Sequence, residues 1–135
     1  MRKTGSEIEG DMVLIIKGSQ LAGAVNGGVY VDGTRPTTSN KEDIVVSFQS
    51  GIEGSVQTGC IEVNIYVPDI GNSTDGFVKN APRCLSLEQL VMKVVNSMQS
   101  VEYAFYLGET IHSPKVLDVN QHFVNVKLKF KRSIN

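Results

Sequence analysis

The sequence predicts an α+β fold: a single antiparallel-dominated β-sheet with a long hairpin, packed on two α-helices. Three observations predict it. Asp43 to Ser50 and Cys60 to Val67 alternate in polarity on either side of a Gly-containing tip, as paired antiparallel strands do. Two apolar stripes recur at helical spacing, Ile8, Met12, Ile15 and Ile16 in one, Leu87, Leu90, Val91, Val94 and Met98 in the other. Val119 to Lys131 alternates again, with Val124, Val126, Leu128 and Phe130 on one face and Lys127, Lys129 and Lys131 on the other. One sheet with both helices on one face would bury every stripe.

The elements follow in order. Residues 1–5 are basic and expected to be flexible, leaving one domain in residues 1–135. Ser6 and Glu9 have capping-box spacing at the start of the first helix, and Gly18 is its expected stop. Ser19 caps a short turn through Gln20-Leu21-Ala22. Asn26-Gly27-Gly28 breaks that turn before a short strand, Val29 to Val31. Thr34 to Lys41 has no apolar period and reads as a loop. In the hairpin, Ile44, Val46 and Phe48 face Ile61, Val63, Ile65 and Val67 across the core side. Gly51 to Gly54 makes the tip, and Pro68 ends the pair because it has no N–H for the ladder. Asp69 to Ala81 reads as a second loop. Pro82 suits a first helical position, but Ser86 with Gln89 is the sharper start, with Leu85 and Leu90 as a hydrophobic staple. Tyr103 to Ile111 is the next strand, and Pro114 marks a turn before the last.

Composition narrows the function. Hydrophobic residues make up 41% and charged residues 20%, the balance of a soluble globular protein. Net charge is -1, without the basic surplus typical of proteins that live on phosphate backbones. Cys60 and Cys84 are expected as free thiols in a reducing compartment. With His112 and His122 they lack the short paired spacing of a zinc site, so no metal or cofactor is expected. Glu7, Glu9 and Asp11 interrupt any signal-peptide stretch, and no run has the ~18 apolar residues of a membrane span. The expected location is therefore cytoplasmic, which makes the Asn72-Ser73-Thr74 sequon a chance match.

Motifs for catalysis fail one by one. Gly18, Gly23, Gly27 and Gly28 are followed by no Gly-Lys-Ser/Thr, so they read as turn glycines. Asp69, Asn72, Ser73 and Asp75 with Gly76 resemble a calcium loop, yet the third position is Gly71 and the twelfth Asn80. Glu42 and Asp43 are adjacent on a strand and point to opposite faces. His112, His122 and Asp118 could serve a small hydrolase, though nothing in their spacing demands it. No catalytic residue is expected. Lys127, Lys129 and Lys131 with Arg132 form a basic stripe that would suit a nucleic-acid-binding module, an acidic partner, or protection of a sheet edge.

A more specific signal is a series of short segments: Ser19-Gln20-Leu21-Ala22-Gly23-Ala24-Val25-Asn26-Gly27-Gly28-Val29-Tyr30, then Thr34-Arg35-Pro36, Glu42-Asp43-Ile44-Val45-Val46, and Val63-Asn64-Ile65-Tyr66-Val67-Pro68-Asp69. This series resembles the tail terminator (tail completion) proteins of tailed bacteriophages and prophages. The resemblance covers most of residues 6–131 and rests on segment order and short motifs. It implies a non-enzymatic ring, commonly of six subunits, that caps the tail tube, ends its polymerisation and docks the head-side connector. Its partners would be copies of itself, tail-tube protein and connector protein, with nucleic acid met only as passing genome. Its location would be the host cytoplasm during assembly and then the virion tail. Other head-tail joining proteins share this kind of role. The resemblance supplies no invariant functional residue. Candidate interface residues come instead from parts left free by the core: Arg35 in the Thr34–Lys41 loop, Glu53 and Gln57 in the Gly51–Gly59 tip, Glu62, Asn64 and Tyr66 on the outer face, and Lys127 and Lys129 in the stripe.

Overall fold

The computed structural model describes residues 1–72 and 76–133. Its elements are α1 (Gly5–Lys17), α2 (Gln20–Ala24), β1 (Val29–Val31), β2 (Ile44–Ile52), β3 (Val56–Pro68), β4 (Ile70–Asn72), β5 (Gly76–Val78), α3 (Ala81–Ser97), β6 (Tyr103–Leu107) and β7 (Gln121–Ser133). The main sheet has five strands in the order β1-β2-β3-β7-β6. β1 runs parallel to β2, and the other pairs are antiparallel. β4 and β5 form a separate two-stranded hairpin. The fold is thus α+β, as the sequence predicts, but the sheet is mixed, and short α2 makes a third helix.

The first helix starts earlier than the Ser6 reading. Thr4 is the N-cap, and it exchanges capping-box hydrogen bonds with Glu7. Both Thr4/Glu7 and Ser6/Glu9 have the spacing, but Glu9 is engaged elsewhere: its carboxylate accepts the Phe48 N–H at 2.8 Å. That bond lies where the β2–β3 register shifts, between Phe48 and Ser50. On this edge the Ile44 N–H bonds Gly28 and the β1 pairing ends at Val46, so the Phe48 N–H lies past the end of β1, and helix α1 satisfies it.

Helix α3 also starts earlier than expected. Asn80 caps it by accepting the Arg83 N–H at 3.2 Å, and Pro82 lies in its first turn, where a missing N–H costs nothing. Ser86 is therefore an interior residue rather than a cap. Leu85 is no staple; it is 54% exposed. The buried stripe of α3 is Cys84, Leu87, Val91, Val94 and Val95, with Leu90 and Met98 partly buried.

One apolar cluster joins helices to sheet. Ile8, Met12 and Ile16 from α1 meet Ile44, Val46, Ile61, Val63, Ile65, Val124, Val126, Leu128 and Phe130 from the inner sheet face. Each such side chain contributes roughly 1.5–3 kcal/mol when taken fully from water. The central pairing is β3 with β7, unbroken from Val56–Ser133 to Pro68–Gln121. β3 runs longer than the sequence reading, β7 starts and ends two residues later than the expected Val119–Lys131, and the hairpin tip shrinks to residues 53–55. Gly59 explains how the strands close so tightly, since a Cβ there would meet the Ser50 carbonyl oxygen at 2.3 Å.

Residues 1–5 are not a free segment. The Lys3 amide and carbonyl both bond the Gln57 side chain, and the Lys3 ammonium reaches Asp11 at 2.6 Å and Glu102 at 2.9 Å. Arg132 completes this network by bonding Glu102, Gln57 and the Met1 carbonyl. The even position of Arg132 turns it to the helix side with Phe130, so it leaves the lysine stripe and is buried. No helix among the described residues is long and apolar enough to cross a membrane.

Candidate assembly surface

The sheet face away from the helices carries most of the candidate residues, and its two ends differ. At one end the 34–41 loop folds back onto the sheet. The Arg35 guanidinium lies 3.9 Å from the Tyr66 ring centre, and Tyr66 in turn sits 5.8 Å from the Phe123 ring. Asp43, 1% exposed, anchors the loop. It accepts from Arg35 Nε at 2.8 Å, from the Gly28 N–H at 2.9 Å, and from the Ser39 hydroxyl. Gln121 links Arg35 to the Ser39 carbonyl. Burial alone would raise the Asp43 carboxyl, but the bonds from Ser39, Arg35 and Gly28 outweigh it and hold it below the usual carboxylate range. Beside this loop, Arg83 grips Glu42 with two bonds, at 2.7 and 2.9 Å, and the Ala24 carbonyl. Glu42 and Asp43 therefore serve two separate anchors.

At the other end the face is open. Asn125 donates to Glu62 at 2.6 Å and Asn64 at 2.8 Å. Lys127 pairs with Glu109 at 2.9 Å, and that bond raises its pKa. Lys129 and Lys131 are exposed and have no partner among the described residues. Glu53 stands at the hairpin tip, paired with Arg2 at 2.7 Å.

The structure therefore divides the eight candidates. Glu53, Glu62, Asn64, Lys127 and Lys129 sit on or beside accessible surface. Tyr66 is half-covered by Arg35, and the Arg35 side chain is committed to Asp43. Gln57 is not a surface residue: it is 3% exposed, because both ends of its amide are held by Lys3, Glu53 and Arg132. The stripe is reduced from four cations to two unpaired ones.

The hydrolase constellation is not assembled. His122 Nδ1 pairs with Asp69 at 2.7 Å rather than with Asp118. His112 is exposed and lies opposite Asn125, further along β7. Cys60 lies on the outer sheet face and Cys84 within α3; both thiols are free, and burial pushes both pKa values up. Among the described residues, no group of three His, Cys, Asp or Glu side chains could hold a metal ion. Ser73 and Asp75 of the calcium-like loop, and Ser73 and Thr74 of the sequon, lie outside the described residues.

Two features escaped the sequence reading. The Asp69–Ala81 stretch holds the β4–β5 hairpin, and it presents Ile70, Phe77 and Val78 to solvent. Its legible signal was the pair of apolar ends, Ile70 and Phe77-Val78, around a polar centre. The second is a groove between α3 and the β6 edge, lined by Leu85, Met92, Leu107 and Ile111 with Glu88 and Lys93.

No family model matches the chain, and no curated protein matches it. A solved chain carrying no functional description matches with 17% identity and a TM-score of 0.47, over 96% of this chain and 93% of that one. A likeness of that size carries no argument about function.

Proposed function

We infer that this chain is a non-enzymatic structural protein of a tailed phage or prophage, forming a ring, of six copies in the reading implied by the resemblance, that caps the tail tube, ends its growth and joins it to the head connector. The reading rests on the segment series from Ser19 to Asp69, in the element order the resemblance implies: an N-terminal helix, a short turn, a strand opening on Gly27-Gly28-Val29-Tyr30, a hairpin, one long helix and a final long strand. The loop at Arg35 is shaped by its own buried anchor before any partner arrives, which suits a protein that must present a fixed surface.

Native mass spectrometry tests the ring, and addition of the protein to polymerising tail-tube protein tests the cap. A closed oligomer that halts tube growth is the expected result. A monomer at high concentration that leaves tube growth unchanged would overturn the reading. The two unpaired lysines, Lys129 and Lys131, are the observation behind a second reading, a nucleic-acid-binding module. That reading requires a salt-dependent mobility shift with DNA that Lys129→Glu abolishes.

A further inference from the structure

The far edge of the main sheet is β6, and its ladder is open. The Gly108 N–H donates to the Lys127 carbonyl, and the Glu102 carbonyl accepts from the Ser133 N–H. With Ala104 opposite Lys131 and Tyr106 opposite Lys129, the even-numbered residues of β6 therefore bond β7. The N–H and C=O groups of Phe105 and Leu107 point the other way, out of the sheet, and no described residue bonds them. The Tyr103 N–H, by contrast, is taken by the Ser100 hydroxyl at 3.1 Å. Proteins commonly blunt an edge with charge or proline in the edge strand itself. Tyr103-Ala104-Phe105-Tyr106-Leu107 carries neither. Lys127, Lys129 and Lys131 do not guard this edge, since β7 is paired on both sides and lies one strand inward.

The two sides of this edge differ in chemistry. On the helix side, the groove against α3 has Leu85, Met92, Leu107 and Ile111 as its apolar lining. On the outer side, Lys131 stands beside the small Ala104, and Lys129 leans over the end of β6: a Cβ at Gly108 would meet its Cγ at 3.3 Å and its Cε at 3.6 Å. The surroundings are basic on balance, with Lys93, Lys127, Lys129 and Lys131 against Glu88 and Glu109. Both carboxylates are engaged, Glu109 by Lys127 and Glu88 by the Ser113 hydroxyl. Lys93, Lys129 and Lys131 have no bonded partner among the described residues. We propose that the β6 edge receives an extended segment of another protein, which adds as a further strand and alternates apolar with acidic side chains. The added strand would lie ~4.8 Å from β6 and bond the free groups of Phe105 and Leu107. One set of its alternate side chains would enter the groove, and the other would stand beside Ala104 and Tyr106, within reach of the lysines. In strand addition the main chain supplies affinity and the alternate side chains supply selectivity. The lysines argue against a second copy as the occupant, because pairing β6 with β6 would set two lysine rows on one sheet face. The inference stands apart from the ring reading.

The probe is a synthetic peptide of about seven residues alternating leucine with glutamate, compared with one in which lysine replaces glutamate. Fluorescence anisotropy with the full chain is expected to show saturable binding of the glutamate peptide and at least about fivefold weaker binding of the lysine peptide. The double variant Lys129→Glu with Lys131→Glu changes two exposed side chains, and circular dichroism checks that it folds. It is expected to reverse the preference between the peptides. Amide exchange followed by NMR is expected to show new protection at Phe105 and Leu107 when the glutamate peptide binds. No binding of that peptide at millimolar concentration overturns the proposal, and so does equal affinity for the two peptides. Binding that leaves the exchange of Phe105 and Leu107 unchanged overturns it as well. Protection of those two amides in the chain alone, rising with its concentration, would overturn it in favour of a second copy.

Discussion

The 34–41 loop and the 70–78 hairpin read alike in sequence, as polar stretches between strands, yet they became opposite kinds of structure. The first contains a charge that finds a buried partner. Asp43 holds Arg35, Ser39 and the Gly28 amide, and Arg35 covers Tyr66, so the loop closes over the sheet with its polar groups satisfied. The second pairs with itself, Ile70 opposite Val78 and Gly71 opposite Phe77, and leaves its apolar side chains outside. One region satisfies its polar groups by folding onto the sheet; the other leaves Ile70, Phe77 and Val78 about half exposed.

Substitutions should separate the two regions. The largest effect is expected for Asp43→Ala. It leaves the half-buried Arg35 guanidinium and the Gly28 N–H without their acceptor, and breaking a buried pair from one side costs about 3–5 kcal/mol. Urea denaturation measures it, and a loss below about 1 kcal/mol would mean the anchor is solvated.

Acid should act on the same anchor. Asp43 has its carboxyl pKa lowered in the fold, and so do Asp11 and Glu102 in the N-terminal network. A depressed carboxylate adds stability above its unfolded pKa, and that stability is lost as pH falls through the folded value. Stability is therefore expected to hold from neutrality to about pH 5 and to fall below the ordinary carboxylate range. The slope should be shallower in Asp43→Asn. An equal slope in variant and wild type would assign the acid sensitivity to the other carboxylates.

Gly27→Ala is expected to do less than removal of Asp43. The new Cβ would lie 2.1 Å from Asp43 Oδ1 and 2.6 Å from the Glu42 backbone carbonyl oxygen, forcing the Asp43 anchor and the backbone beside it to shift. Overpacking of this kind costs about 1–3 kcal/mol, read as a lowered denaturation midpoint. The smallest effect belongs to the hairpin. Phe77→Ser should change monomer stability by no more than about 0.5 kcal/mol, measured at a dilution where no assembly forms. A larger loss would show that the hairpin supports its own copy after all.

Periodicity made the sheet legible. Alternation in β2, β3 and β7 placed Ile44, Val46, Ile61, Val63, Ile65, Val124, Val126, Leu128 and Phe130 on one face, and all are buried there. Helix starts were less legible, because capping boxes are short and two overlapped. Which one forms depends on Phe48, whose N–H draws Glu9 away from Ser6. The candidate surface was legible only where a residue's neighbours are local. Gln57 and Arg132 look like surface residues from their chemistry, but Lys3 and Glu102, distant in sequence, meet them in the fold. Leu85 misled in the other direction: placed as a hydrophobic staple, it is 54% exposed.

The pairing of β3 with β7 also governs the order in which the molecule can be built. β3 lies at the middle of the sheet, yet the strand that covers its far edge is made after every other described strand. Until Gln121 to Ser133 has emerged, Val56 to Pro68 presents a long open ladder with a buried-type apolar face. Closing it joins residues far apart in the chain, a slow step by the loop entropy involved. The nascent protein therefore passes through a period when its central strand is exposed to other chains, and the yield of soluble protein should depend on how quickly translation delivers β7.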